Sequence, residues 1–147
     1  MALEKAKAFC AYQERSQEEV RKKLNGFGLE PEVVEHHIAS LITEGFLNEE
    51  RFSRSYARGK FRIRKWGKNK ILSGLRVHKV SPYCIKAALS EIDEDEYRET
   101  LKTLIAAKLG KAGKEISIAT KGKLYRFVLG KGFEPELIFG VFKELNL

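Results

Sequence analysis

The stretch VRKKLNGFGLEP, residues 20–31, shares its pattern with ILSGLRVHKVSP at residues 71–82 and with YRFVLGKGFEP at residues 125–135. Each copy carries two apolar residues four positions apart, and a proline follows the second of them after six or seven positions. The three prolines, Pro31, Pro82 and Pro135, are 51 and 53 residues apart. A period near 50 is typical of a tandem array of one supersecondary unit, whose copies stack to bury a shared core.

In the register that we assign, Leu24, Leu75 and Leu129 are equivalent, and the apolar residues before them are Val20, Ile71 and Tyr125. Large apolar residues also follow each proline at common offsets. They are Val34, Ile38 and Leu41 in the first copy, Ile85, Leu89 and Ile92 in the second, and Ile138, Phe142 and Leu145 in the third. These residues form the predicted core.

Helical periodicity dominates the chain and predicts an all-α fold of three tandem three-helix repeats that form an elongated, curved array. The repeats are assigned to residues 1–45, 46–92 and 93–147. Helices are predicted at about 2–14, 17–25 and 31–44; 48–65, 67–77 and 82–92; and 94–109, 121–130 and 135–146. The alternation at 116–118 is too short to assign a strand, and the Gly- and Lys-rich link from Gly110 to Ala119 is predicted to be mobile.

Helix starts are marked by residues that accept hydrogen bonds from the first free backbone amides. Ser16 and Glu19 have the spacing of a capping box. The other predicted caps are Asn48, Ser81 before Pro82, Asp93 and Thr120.

Charge is distributed unevenly along the chain, whose formal net charge is +8. Residues 51–80 carry eleven basic side chains and no acidic one, whereas residues 81–100 carry two basic and six acidic side chains. Self-repulsion in so basic a segment opposes folding, so a polyanion is the first candidate partner and an acidic protein surface is the second.

On a helical wheel of residues 48–65, the predicted core stripe contains Phe52, Tyr56, Gly59 and Ile63, with Phe61 at the margin of a second, basic stripe. Lysines of the following segment extend that basic stripe. The candidate residues for binding DNA or a DNA–protein filament are Arg51, Arg54, Arg58, Arg62, Lys65, Lys68 and Lys70. Guanidinium and ammonium groups in a row suit a phosphate backbone. A solvated helix face is the alternative, and Trp66 is either a base-stacking residue or a buried anchor.

Other chemistry finds little support in the sequence. Cys10 and Cys84 match no disulfide or metal spacing, and we expect both to be reduced and buried. No histidine has a second metal ligand at a suitable spacing, and no nucleophile has a base in a familiar arrangement. We therefore expect no metal, no cofactor and no enzymatic activity. The absence of a long apolar run or a leader favours a cytoplasmic protein that does not enter a membrane.

Three segments carry a resemblance to a known family. GFLNEERFSRSYA, residues 45–57, resembles the signature G-[FY]-[LI]-[ND]-D-x-x-[FY]-[AS]-x-x-[YF] of the RecX family of recombination regulators. RSQEEVRKKL at 15–24 and KWGKNKI at 65–71 resemble two further segments of that family. This chain departs from the signature at Glu49 or Glu50, where the family usually has aspartate.

The resemblance implies an all-α repeat protein that binds the RecA recombinase or its DNA filament. It also implies modulation, usually inhibition, of the ATPase and strand-exchange activities of RecA, within homologous recombination and DNA repair. The partners that it implies are the RecA filament and single- and double-stranded DNA, and we expect the protein itself to be a monomer. Two alternatives stay open: a stand-alone helical DNA-binding protein, such as a nucleoid or transcription factor, and a helical adaptor for an acidic protein.

Overall fold

The computed structural model describes residues 1–110 and 116–147, and every regular element within those ranges is an α-helix. The helices are α1 (Ala2–Tyr12), α2 (Gln17–Asn25), α3 (Pro31–Thr43), α4 (Glu49–Arg62), α5 (Lys68–Val77), α6 (Pro82–Leu89), α7 (Glu94–Leu109), α8 (Ile118–Gly130) and α9 (Pro135–Glu144). The predicted all-α fold, with three helices to each repeat, is confirmed. No helix in the described part of the chain is both long enough and apolar enough to cross a membrane.

Side chains cap most helices where the sequence predicts a start. Ser16 Oγ accepts a hydrogen bond from the Glu19 amide at 3.1 Å, and the Glu19 carboxylate accepts one from the Ser16 amide at 2.9 Å. These two bonds satisfy amides that the helix itself leaves unpaired, as a capping box does. Asn48, Ser81 and Asp93 each accept a bond from the amide three residues later.

The start of α8 differs from the prediction. Its cap is Ser117, which accepts a bond from the Thr120 amide at 3.1 Å, so Thr120 lies inside the helix rather than before it. The alternation at 116–118 ends in this cap and gives no strand. The predicted mobility of the link from Gly110 to Ala119 falls largely on residues 111–115, which lie outside the described residues.

The turn between the second and third helices contains a residue in the left-handed conformation at the same place in all three repeats. Gly28, Lys79 and Gly132 each lie three residues before the proline and have positive φ angles of 75°, 57° and 102°. In the third repeat the Phe133 amide then bonds back to the Val128 carbonyl at 3.2 Å, which closes a Schellman motif. Glycine adopts this left-handed conformation without strain, whereas Lys79 occupies it at a cost.

This turn fixes the register of the third repeat, which the sequence analysis placed one residue too late. Leu124 and Val128 are buried, whereas Tyr125 is half-buried and Leu129 is 39 % exposed. Val128 lies seven positions before its proline, as Leu24 and Leu75 do before theirs. The apparent shortening of the third repeat therefore came from aligning Leu129 instead of Val128.

The buried face of α4 also differs from the predicted stripe. Lys65, with a φ of 58°, lies beyond the end of the helix, and its amide bonds to the Phe61 carbonyl at 3.0 Å. Ile63 therefore leaves the helical stripe and is 79 % exposed, while Phe61 is 3 % exposed. The buried residues of α4 are Phe52, Ser53, Ala57 and Phe61.

In α6 the small residues take the most buried positions. Ile85 and Leu89 are half-buried, whereas Cys84 and Ala88 lie in the core. Both cysteines of the chain are buried and free, as expected. The core residues predicted in α3 are buried, and so are Ile92, Ile138 and Phe142, while Leu145 is half-buried.

Contacts divide the described chain into two compact units. The first contains Met1–Tyr56 with Gly74–Ala88, and the second contains Ala57–Ser73 with Leu89–Leu147. Helices α4, α5 and α6 thus contribute residues to both. The predicted boundaries after residues 45 and 92 concern the sequence repeat, which this division does not test, and they stay a prediction.

The first unit is built on an apolar cluster from α1 to α3. It contains Ala6, Cys10, Val20, Leu24, Val34, Ile38, Leu41 and Leu47. His78 packs its ring against Phe52, with 4.9 Å between the ring centroids, and its Nδ1 lies 2.8 Å from Ser16 Oγ. This histidine therefore ties the cap of α2 to α4 and has a structural role.

The second unit contains a direct contact between two backbone segments, which we call the Gly67–Gly132 contact. The Gly67 amide donates to the Lys131 carbonyl at 2.7 Å, and the Asn69 amide donates to the Gly132 carbonyl at 2.9 Å. A Cβ placed on Gly67 would lie 2.3 Å from the Gly132 carbonyl carbon and the Phe133 amide nitrogen. Glycine at position 67 is required because no side chain fits between the two segments.

Tyr97 of α7 packs beside this contact. Its phenol accepts a bond from the Lys68 amide at 2.8 Å and donates one to the Glu134 carboxylate. Its ring lies 5.1 Å from that of Phe133 and 5.8 Å from that of Phe61. Burial and the bond to Glu134 raise the pKa of Tyr97, so the phenol keeps the proton that it donates.

We expect Gly67→Ala to lower the free energy of unfolding by about 1–3 kcal/mol, because the added methyl group must push two backbone segments apart. Gly59→Ala is the matched control, since Gly59 lies inside α4 and no neighbouring segment in the described part of the chain comes within 4 Å of the place that its methyl group would take. That control should gain up to about 1 kcal/mol from the higher helix propensity of alanine. Urea denaturation followed by circular dichroism measures both, and equal stability of the two variants would contradict the contact.

Candidate basic interface

The seven predicted binding residues divide into those that pair with a carboxylate and those that do not. In the first unit, Arg51 Nε lies 2.6 Å from a Glu14 carboxylate oxygen, and its guanidinium also donates to the Gly45 carbonyl at 3.0 Å. The other carboxylate oxygen of Glu14 is buried and has no hydrogen-bond partner among the described residues. Arg51 therefore fastens the segment before α4 and stabilises a partly buried acid.

Two more arginines of α4 are also paired. Arg54 Nε lies 2.9 Å from the carboxylate of Glu50, one helical turn earlier. In the second unit, Arg58 donates to the carboxylate of Glu91. Residues 51–80 contain no acid, yet acids that flank this segment on either side of it neutralise part of its charge.

The acidic stretch at 91–99 has two roles within the chain. Asp93 caps α7, as the sequence predicts, and Glu94 pairs with Lys68. The sequence analysis did not foresee the ion pairs of Glu91 and Glu94, because the pattern alone does not show which loops meet. The stretch thus acts as an internal counter-charge for the basic segment.

Arg62, Lys65 and Lys70 are the predicted residues without a carboxylate partner within ion-pair distance among the described residues. All three are exposed, and all belong to the second unit. Arg62 is the last residue of α4, Lys65 lies in the loop, and Lys70 lies in the first turn of α5. Here the positive charge is available to a partner.

Trp66 lies in the middle of these cations. Its ring is half-buried, and the ammonium groups of Lys60 and Lys70 lie 4.9 Å and 4.7 Å from its centroid. Cation–π attraction of this kind holds an ammonium group near an aromatic face. Trp66 therefore positions two lysines, a role that the sequence analysis did not consider, and base stacking by its ring stays a prediction.

The structure adds two cations that the sequence analysis did not include, Arg64 and Lys131. The Lys131 ammonium group donates to the Arg64 carbonyl at 2.7 Å, across the Gly67–Gly132 contact. Partial burial, followed by the nearby charges of Lys70 and Arg64, lowers the pKa of Lys131. Because its pKa is lowered, the charged Lys131 destabilises the fold fully at pH values below that pKa, and this penalty disappears as the pH rises from there past the ordinary lysine pKa. The sequence feature that could have pointed to Lys131 is its position in the repeated turn, one residue before Gly132.

Other chemistry remains without a centre in the described residues. No group of three or more His, Cys, Asp or Glu side chains there could hold a metal ion. Lys65 also lines a surface cleft of about 220 Å³, together with Glu96, Glu99 and Thr103 of α7. The cleft contains no nucleophile paired with a base.

Comparison with known proteins finds one family. A family model that describes the second three-helix domain of RecX matches residues 48–89. The regulatory protein RecX of Lactobacillus johnsonii is 32 % identical over 146 residues, which cover 99 % of this chain and 54 % of that protein. The regulatory protein RecX of Clostridium botulinum strain Alaska E43 is 32 % identical over 132 residues, covering 88 % of this chain and 61 % of that protein. The chain thus spans between about half and three fifths of the length of these relatives.

Solved structures share the fold. The crystal structure of RecX from Lactobacillus salivarius superposes with a TM-score of 0.86 at 21 % identity and covers 99 % of this chain and 94 % of that chain. A second crystal structure, of a regulatory protein RecX, gives a TM-score of 0.82 at 20 % identity, with coverage of 97 % and 72 %. At these identities the likeness shows a common fold.

We expect Arg51→Ala to lower the free energy of unfolding by about 1–3 kcal/mol, because it leaves Glu14 and a carbonyl without their charged donor. Arg62→Ala should change the stability by less than about 0.5 kcal/mol, because it removes an exposed side chain with no partner among the described residues. Urea denaturation of the two variants separates a structural arginine from an available one. A similar loss in both would contradict this division.

Proposed function

This chain belongs to the RecX family, and from that premise we propose that it regulates the RecA recombinase by binding RecA or the filament that RecA forms on DNA. The regulation that we propose is inhibition of the ATPase and strand-exchange activities of RecA, which serve homologous recombination and DNA repair. The proposal includes single- and double-stranded DNA as partners, a monomeric state and no enzymatic activity of its own.

The observation that carries the proposal is the set of available cations in the second unit. Arg62, Lys65 and Lys70 are exposed and have no carboxylate within ion-pair distance among the described residues, although acids elsewhere neutralise Arg54, Arg58 and Lys68. Such cations favour a polyanionic partner and bind it with strong salt dependence. A filament of protein on DNA presents phosphates at regular intervals.

Tandem repeats supply a physical route to inhibition. Repeats that each engage a neighbouring RecA subunit raise the effective concentration of the next contact, so that weak contacts sum to a tight complex. A regulator held in this way opposes any motion of one RecA subunit relative to the next. Filament growth and coupled ATP hydrolysis both need such motion.

The experiment is the DNA-dependent ATPase of RecA, measured with substoichiometric amounts of this protein, with free DNA in excess, and at low and moderate salt. We expect the ATPase rate to fall. Excess DNA matters because a protein that only masked DNA would leave most of it accessible to RecA. An unchanged rate on a cognate RecA, together with tight DNA binding, would replace the proposal with a stand-alone DNA-binding function.

Charge reversal tests the assigned surface in the same assay. We expect Arg62→Glu with Lys65→Glu to weaken inhibition at least tenfold, which corresponds to about 1.4 kcal/mol of binding free energy. Lys22→Glu with Lys86→Glu is the control, because both lysines are exposed and lie in the first unit. Full inhibition by a folded Arg62/Lys65 variant would remove this surface from the proposal.

A further inference from the structure

The Gly67–Gly132 contact brings together three cations from distant parts of the sequence. Arg64 and Lys70 flank Gly67, and Lys131 precedes Gly132. The Lys131 ammonium group reaches the Arg64 carbonyl at 2.7 Å, and the Cβ of Lys70 lies against Gly132, whose own Cβ would be only 2.4 Å from it. Two loops that are separate in the sequence therefore form one positive cluster.

The cluster has no counter-charge of its own. Among residues 1–110 and 116–147, no carboxylate lies within ion-pair distance of Arg64, Lys70 or Lys131. The nearby acid Glu94 pairs with Lys68, and Glu134 accepts the Tyr97 phenol. Because like charges held close together repel, this arrangement lowers the stability of the fold, and a bound anion would offset that loss.

The protein also holds the two lysines of this cluster in place. Two backbone hydrogen bonds hold residues 67–69 to residues 131–132. The Lys70 ammonium group lies 4.7 Å from the ring centroid of Trp66, and the Lys131 ammonium group donates to the Arg64 carbonyl, so contacts within the chain hold both lysines. Charged groups that are positioned before binding lose less entropy when a ligand arrives.

We propose that Arg64, Lys70 and Lys131 form a composite phosphate site that binds the backbone of DNA directly. The choice of DNA over an acidic protein rests on the proposed function, in which the partner contains DNA. It also rests on the chemistry, because a guanidinium beside two ammonium groups suits phosphate oxygens, and cations beside an aromatic ring are typical of nucleic-acid surfaces. The site needs Lys131 from the third repeat and is incomplete in the second repeat alone.

The test is DNA binding without RecA, measured by fluorescence anisotropy of labelled single-stranded and duplex oligonucleotides over a series of salt concentrations. We expect the triple variant Arg64→Gln, Lys70→Gln, Lys131→Gln to lose at least tenfold in affinity. The slope of log Kobs against log salt should become less steep by about 2–3 units, because each phosphate contact contributes roughly 0.7–0.9.

A matched control carries the same change in net charge elsewhere. Lys22→Gln, Lys86→Gln and Lys143→Gln remove three exposed lysines that have no carboxylate partner within ion-pair distance among the described residues. This control should keep the salt slope of the native protein. A second variant keeps the charge, with Arg64→Lys, Lys70→Arg and Lys131→Arg. It should bind DNA as the native protein does. Loss of DNA binding by this variant would overturn a site based on charge.

Folding of the glutamine variant is checked by its melting temperature, which we expect to be unchanged or higher because mutual repulsion is relieved. A cluster variant that binds DNA like the lysine control overturns the proposal. So does a variant that binds DNA normally but no longer inhibits RecA, since its cluster would then meet an acidic protein. Cluster-dependent DNA binding by a native protein that leaves RecA unaffected would support the phosphate site and refute the proposed function.

Discussion

The backbone contact between Gly67 and Gly132 is the constraint on which the packing of the second unit depends. It joins the end of α4, the start of α5 and the turn before α9 by backbone hydrogen bonds of 2.7 and 2.9 Å. It also uses the amides of Gly67 and Asn69 at the start of α5, which a helix cannot satisfy by itself. Tyr97, Phe61 and Phe133 pack beside it and exclude water, which strengthens those bonds.

The basic side chains of the segment at 51–80 fall into two groups, according to whether a carboxylate of the same chain lies against them. Arg51, Arg54, Arg58 and Lys68 each lie against a carboxylate of the same chain and contribute to the fold. By contrast, no carboxylate among the described residues lies within ion-pair distance of Arg62, Arg64, Lys65, Lys70 or Lys131. The basic segment therefore contains both paired and available cations, and the assignment of all seven predicted residues to a binding surface stays a prediction.

The sequence predicted the helices, their caps and most of the core, because these depend on local periodicity and on residues a few positions apart. It misplaced Leu129 by one residue of register, which turns a side chain by about 100° around a helix. It placed Ile63 in the core stripe because it predicted a later end for α4 than Arg62. It named Lys70 but not Arg64 or Lys131, because their proximity depends on two loops meeting across more than sixty residues. A repeated turn that ends in Gly132 was visible in the sequence, but its contact with Gly67 was not.

The most direct test of this account is native-state amide hydrogen exchange at Gly67 and Asn69. If their amides bond to the carbonyls of Lys131 and Gly132, they should exchange only through opening of the second unit, as slowly as the amide of the buried Leu101 in α7. Exchange at the rate of an open loop would mean that the two segments do not meet. It would also remove the basis for a positive cluster drawn from both loops.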